Sequence, residues 1–454
     1  VSGAPAPHIG IGEKGMGAGM TASTLGLIGI VVFLALLALR MPIAYAMALV
    51  GFAGFAYLTS ATAALDMVAK ELFSTFSSYS LSVIAMFVWM GFLAYYSGIG
   101  TRLYIFAYKL IGHWPGGLAI ATQTACAIFG AICGSNTATA ATMGAIALPE
   151  MKKYNYDNSI ATASVAAGGV LGVLIPPSVI FIVYGMATEI SVGKLFMAGI
   201  LPGILLMVLY QLTISLLTWR KPELGPAGPR SNWAERWGAL KGALGQVLLV
   251  FAISMGGLFM GWFTPTEAGA VGAFGVLLAA LMGRSLNWEG FKKSLYDTTR
   301  TTAMIMLLIA GAMIFGRFLA ISRVPFELAS WTGALSLPPF AVMGIILGIY
   351  LVLGCFIDAL AMILLTIPIF FPIVTNTLGY DPIWFGVIVV LVVGMGIITP
   401  PVGMNVFIIK GIAPDVPLET IFRGIWPFLA AIVVCLAILM IFPQIVLFLP
   451  NLMS

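Results

Sequence analysis

Charge is what this 454-residue chain has least of. Asp, Glu, Lys and Arg together make up 8% of it, where a soluble globular domain carries about 25%. With 61% hydrophobic residues and a mean hydropathy of +1.08, that scarcity excludes an ordinary soluble protein. Histidine is nearly missing as well. His8 and His113 are the only two, which leaves no material for a Ser–His hydrolytic site or an HExxH zinc site. No GxxxxGK[ST] phosphate loop occurs, so the chain does not hydrolyse ATP itself. Cys126, Cys133, Cys355 and Cys435 stand singly within apolar segments without metal-type spacing; they read as small packing residues, not as a disulfide frame. Apolar–polar alternation over about ten residues is absent too, and with it the β-barrel.

What the chain does have is repeated apolar runs of about 20 residues, the length that crosses a bilayer as a helix. They fall at 22–39, 42–59, 80–100, 116–150, 159–188, 195–219, 243–262, 265–283, 299–321, 338–374, 382–413 and 424–449. The class is an all-α polytopic membrane protein. The net charge of +5 sits in the polar stretches between the runs, the pattern of cytoplasmic loops and not of a nucleic-acid surface. Residues 1–21 are Gly/Pro-rich and read as a tail or linker, with Met20 a candidate start and no signal-peptide pattern. A polar connecting segment at 220–242, rich in Lys and Arg, joins an N-terminal half, 22–219, to a C-terminal half, 243–449; residues 450–454 form a second tail.

The halves resemble each other. MPIAYAMALVG (41–51) aligns with TPTEAGAVGAF (264–274), and SLSVIAMFVWMGFLAYYSGI (80–99) with RTTAMIMLLIAGAMIFGRFL (300–319), which sets Gly91 opposite Gly311. YNYDN (154–158) aligns with LGYDP (378–382), and GVLIPPS (172–178) with GIITPPV (396–402). An offset held between 220 and 224 residues is an internal duplication. With the N-terminus outside, and with 116–150 and 338–374 each entering and leaving on one side, 16 of the 21 Lys/Arg fall inside, in accord with the positive-inside rule. Pro42 then lies inside and its counterpart Pro265 outside, so the repeats are inverted, as in secondary transporters.

The two same-side segments are too long for one span, and half of each is marginal for a hydrocarbon core of about 30 Å; they read as re-entrant helical hairpins. Two short tilted spans are the plainer alternative. The hairpin tips are GSNTATA (134–140) and GCFIDALA (354–361), and each hairpin is followed by a helix interrupted by a proline pair, IPPS (175–178) and ITPPVGMN (398–405). Paired prolines unwind a helix, and inside a bilayer the freed backbone must be buried in protein or line a wet cavity. Four such loops meeting near the midplane, with Ser135, Asn136, Thr137, Thr139 and Asp358, suit a small hard cation such as Na⁺. Half-helix N-termini beside them favour an anionic substrate group. Simple kinks and close small-residue packing compete with this reading, as does a helix cap for Asp358, the one carboxylate deep in an apolar run. Arg317, nearer a helix end, reads as a snorkelling side chain or a substrate-steering one. A single embedded aspartate does not make an aspartyl protease, and the broken helices favour alternating access over a fixed channel.

These paired motifs, GSNTATAATMG with GVLGVLIPPS and GCFIDALAMILLTIPIFFPI with GMGIITPPVGMNVFIIKGIA, resemble those of the large membrane subunit of a tripartite ATP-independent periplasmic (TRAP) transporter. The likeness runs from about residue 24 to 449. It implies an elevator-type fold of the ion transporter superfamily, Na⁺ as coupling ion with no other cofactor, and uptake of a small organic acid across the bacterial inner membrane. It also implies two partners, a small four-helix membrane subunit and a periplasmic solute-binding protein. The small subunit is expected as a separate chain or as one fused through the N-terminal tail. Carried onto this chain, the resemblance implies one Na⁺ site at the loop Gly134, Ser135, Asn136 and Thr137 with carbonyls near Gly172, Ile175 and Pro176. It implies a second at Gly354, Asp358, Thr399, Pro400, Pro401 and Gly403. Substrate would lie between the tips, near Ser135, Asn136, Thr139, Pro177, Ser178 and Asn405. A stand-alone carboxylate transporter or ion exchanger of the same superfamily is the nearest competing reading, and a channel-type pore the competitor from another class.

Overall fold

The computed structural model describes residues 21–240, 243–334 and 337–452; most of the tail expected at 1–21 lies outside them. Thr21 caps α1 (Ala22–Ala38) by accepting from the Thr24 amide, and α2 (Ile43–Leu58) follows Pro42. Helix α3 (Ala61–Ser77) buries Ala64, Met67, Glu71 and Thr75 and exposes Leu65, Phe73 and Phe76, the two-faced pattern of a helix lying along a membrane surface. Then come α4 (Ser82–Tyr96) and α5 (Ile99–Ile111). The first hairpin pairs α6 (Gly117–Cys133) with α7 (Asn136–Lys153) around a turn of only Gly134 and Ser135. Helix α8 (Asn158–Leu174) stops before the proline pair and α9 (Val179–Thr188) resumes after it. Helix α10 (Val192–Arg220) returns, and the connecting segment carries α11 (Trp233–Leu240).

The second half repeats the plan. It runs α12 (Ala243–Phe259), α13 (Pro265–Met282), α14 (Trp288–Ser322) and α15 (Val324–Ala334). Its hairpin is α16 (Pro339–Gly354) and α17 (Ala359–Pro372), the latter prolonged by a π turn at Ile373–Thr377. The interrupted helix is α18 (Pro382–Gly396) and α19 (Met404–Ile412), and α20 (Leu418–Ile441) and α21 (Gln444–Asn451) complete the chain. Three details differ from the sequence reading. The run 424–449 is broken at Phe442–Pro443, because proline cannot continue the helix. The last helix reaches Asn451, into the expected tail. The run 299–321 is only the outer part of a 35-residue helix whose inner turns carry charge.

Two bodies are distinguishable by their packing. In the frame, α2 lies along α14 and α13 along α4, while α4 crosses α14. Each repeat is thus clasped by its counterpart. The approach is close where small residues allow it: a carbon added to Gly51 would stand 2.8 Å from the Phe315 backbone, and one on Gly311 2.5 Å from the Ala44 carbonyl. Arg317 neither snorkels freely nor faces the chamber described below. Its Nε donates to Glu71 Oε1 at 2.7 Å, tying α3 to α14.

In the second body, α8 and α18 are buried on all sides, 15 of 17 and 13 of 15 residues, so these interrupted helices form its axis. Their outer pieces exchange partners, α9 packing on α17 of the other hairpin and α19 on α7. Seven helices among the described residues are long and apolar enough to cross a membrane. Exposed Trp219, Trp262 and Trp288 sit at or near helix ends, as in an interfacial aromatic belt.

Candidate functional site

Both hairpin tips open on one chamber of about 600 Å³ between the two bodies. Gly134, Ser135, Asn136 and Thr137 line it from one side and Asp358, Ala359 and Leu360 from another. The frame contributes Tyr95 and Tyr96 of α4 and Asp297, Thr301 and Met304 of α14.

At the first tip Gly134 ends α6 with φ at +61°, a left-handed backbone that disfavours any side chain. A carbon there would also meet the Pro177 carbonyl at 2.6 Å. The Ser135 hydroxyl caps α7 by accepting from the Ala138 amide at 3.4 Å and lies 3.2 Å from the Thr137 hydroxyl. The Pro176–Pro177 break stands behind this tip, and the Val179 amide reaches the Gly134 carbonyl at 3.5 Å. Prolines 176 and 177 have no N–H to offer the carbonyls of Gly172 and Val173 one turn earlier. No other backbone amide among the described residues takes their place. The Ser178 hydroxyl is buried with no hydrogen-bond partner. The break behind the tip thus holds two carbonyls without a backbone partner and an orphaned hydroxyl, the oxygen-rich chemistry that suits a hard cation.

The second tip differs. Asp358 caps α17, accepting from the Leu360 amide at 3.0 Å while lining the chamber; the cap and the site are the same residue. The carbonyls freed by Pro400 and Pro401 are taken up again, Gly396 by the Thr399 amide and Ile397 by the Asn405 amide, each at 3.1 Å. The Thr399 hydroxyl bonds back to Met395 at 2.7 Å. Pro401 and Val402 are exposed, whereas Pro176, Pro177 and Ser178 are buried. Gly403 starts α19 at φ +62°.

Several candidate residues fall elsewhere. Gly354 is not at the tip. It ends α16 against Gly396, an added carbon standing 3.2 Å from the Gly396 Cα, just as one on Gly130 would stand 2.5 Å from Gly172. Both pairs are related by 224 residues, so the counterpart of Gly354 is Gly130 and not Gly134. The side chains of Ile175 and Pro176 face a separate apolar cavity of about 300 Å³ beside α10 and α12. Thr139 is buried behind the tip, its hydroxyl 3.1 Å from Cys133 Sγ. Pro177, Ser178 and Asn405 do not line the chamber. Asn405 bonds to the first tip: its Nδ2 donates to the Ala166 carbonyl at 3.0 Å, and its Oδ1 accepts from Asn136 at 3.4 Å. Asp297 escaped the sequence reading because the apolar run was begun at 299; extending the helical period back from 300 would have exposed it, whereas Tyr96 lay inside the run 80–100 with no local signal to single it out.

A chamber between a helical frame and a second body built from two inverted hairpins and two interrupted helices defines a polytopic membrane transporter, not an enzyme. Residues 30–445 match the family described as the DctM component of the tripartite ATP-independent periplasmic transporter, and the chain belongs to that family. It is 39% identical to the C4-dicarboxylate TRAP transporter large permease protein DctM of Pseudomonas aeruginosa, over 84% of this chain and 89% of that one. It is 33% identical to the sialic acid TRAP transporter large permease protein SiaM of Vibrio cholerae, over 92% and 97%. In fold it is similar to the YdaH transporter of Alcanivorax borkumensis, with a TM-score of 0.61 at 15% identity, covering 93% of this chain and 99% of the other.

Proposed function

We propose that this chain is the transport subunit for Na⁺-coupled uptake of a small organic acid, working by an elevator movement. A single observation carries the reading: both tips face one chamber whose opposite wall belongs to a different body. Na⁺ at the free carbonyls of Gly172 and Val173, and at Asp358, supplies the positive charge that an acid needs in a cavity lined by no Lys or Arg among the described residues. The body carrying both tips then slides against α4 and α14. In the charge-derived orientation Tyr96 and Asp297 lie toward the inner face, so the present state has its chamber turned inward. The relatives' names supply the substrate classes to try, dicarboxylates and sialic acid first. The setting is the bacterial inner membrane, with a small membrane subunit and a periplasmic binding protein as partners. Uptake into proteoliposomes containing all three components should follow an imposed Na⁺ gradient. Uptake undiminished when choline replaces Na⁺ overturns the coupling, and uptake without the binding protein favours a stand-alone carrier.

A further inference from the structure

The charge of the chamber is the wrong sign for its cargo. Asp358 and Asp297 both line it and, among the described residues, no basic one does, yet an organic acid must pass through. Asp358 rides on a tip, within reach of a bound cation. Asp297 belongs to the frame, about two and a half turns into α14. Its recorded partner is neutral, the Tyr96 hydroxyl, which donates to Oδ2 at 2.5 Å from the neighbouring frame helix. The nearest lysine one turn earlier, Lys293, is held by Glu289 at 2.8 Å, and Asp297 forms no ion pair among the described residues. The arrangement therefore fixes on the stationary wall a carboxylate that has no direct ion pair among the described residues.

We infer that Asp297, oriented by Tyr96, is a release element. It repels the anionic substrate and attracts the coupling cation, and only when the tips face the inner side of the frame. This deepens the proposed function and rests on it. When Na⁺ leaves the tips, Asp358 loses its counter-charge, and the substrate then faces two carboxylates with no compensating cation. Across a separation of several ångströms in a partly wet chamber, one charge shifts affinity by roughly two- to tenfold. Because Asp297 stays on the frame, its influence fades once the tips have moved to the outer side. It leaves the overall equilibrium to the gradients and sets the ease of release on one side.

The test uses the complete transporter in inside-out and right-side-out vesicles, with succinate, sialic acid and isethionate as probes and the transported one carried forward. Asp297→Asn keeps an acceptor for Tyr96 and removes the charge. At the inner face the probe should bind two- to tenfold more tightly and Na⁺ two- to tenfold more weakly; at the outer face neither should change. Thr301→Asp, which adds a carboxylate to the same wall one turn away, should move both inner affinities in the opposite directions. Opposed signs for anion and cation are something a merely structural change does not produce. Unchanged inner affinities, or two shifts of the same sign, overturn the release role alone. A wild type that moves no probe with Na⁺ overturns the functional reading and this inference together.

Discussion

The hairpin α6–α7 turns in two residues and is enclosed; the hairpin α16–α17 turns in four and stands open. Helix α6 is buried along nearly its whole length, and its end is gripped by the frame where a carbon added to Gly91 would stand 2.8 Å from the Cys133 Cα. Helix α16 exposes Ile345, Val352 and, at the tip, Phe356 at 63%. The breaks follow suit, buried with free carbonyls in the first repeat and exposed with satisfied carbonyls in the second. Two segments of one duplicated sequence thus occupy unequal environments. An inverted repeat acquires two states in this way, since exchanging the environments gives the opposite-facing form. In this state the first break keeps two carbonyls without a backbone partner, and the second has its carbonyls taken up.

The sharpest way to break the comparison is at the two glycines that open the tip sequences. Gly134→Ala forces a side chain into a left-handed backbone, at about 1–2 kcal/mol, and into the Pro177 carbonyl; Na⁺-driven uptake should fall more than about tenfold. Gly354→Ala asks only a few tenths of an ångström from Gly396, and uptake should stay within about threefold of wild type. Equal losses would mean that the tips are equivalent after all. Next is Ser178→Ala, which removes an orphaned hydroxyl. Its half-saturating Na⁺ concentration should rise roughly tenfold, one ligand's worth, while melting without Na⁺ moves up or stays level. A fall in both would make Ser178 a packing residue.

Gly91→Ala tests the grip on the enclosed hairpin. It should depopulate the inward-facing state and slow turnover by about fivefold, on the order of 1 kcal/mol, with an accessibility label at Thr137 reporting the shift. Arg317→Ala would strand Glu71, whose side chain is only 10% exposed. Melting should show a loss of about 2 kcal/mol, with little change in substrate affinity, because the pair lies within the frame. The smallest effect is expected at Lys152–Asp415, which joins α7 to the loop after α19 at 2.7 Å but is exposed on both sides. The hydrogen bond from Lys152 holds the Asp415 carboxyl below its ordinary range. Any stabilisation is therefore present above the unfolded carboxylate pKa of about 4 and lost as pH falls through the lower folded value. Asp415→Asn should shift melting by less than about 1 °C at neutral pH and not at all in strong acid.

Much of this was written in the chain. Runs of about 20 apolar residues announce spans, and the proline pairs at a fixed offset announce both interruptions, because proline acts through its own missing N–H wherever it sits. Helix α3 was less visible, since Asp66, Lys70 and Glu71 interrupt its apolar run. The two tip sequences, GSNTATA and GCFIDALA, both begin on glycine, yet the backbone pairs Gly354 with Gly130 and not with Gly134; a close helix approach and a tight turn both ask for glycine. The link from Asn405 to Asn136 crosses between repeats. It depends on α19 packing against α7, which local pattern does not encode.

The claim that both tips move as one body is tested most directly by distances measured with spin labels in the reconstituted complex. One pair joins Glu189 and Asn376, both exposed at the outer end of the moving body; another joins Glu189 to Thr59 on the frame. The native cysteines are buried and leave these positions to be labelled alone. Adding Na⁺ and substrate should shift the Glu189–Thr59 distance by at least about 5 Å, one helical turn, with the Glu189–Asn376 distance unchanged. A fixed Glu189–Thr59 distance, with Glu189–Asn376 opening and closing instead, would contradict the account.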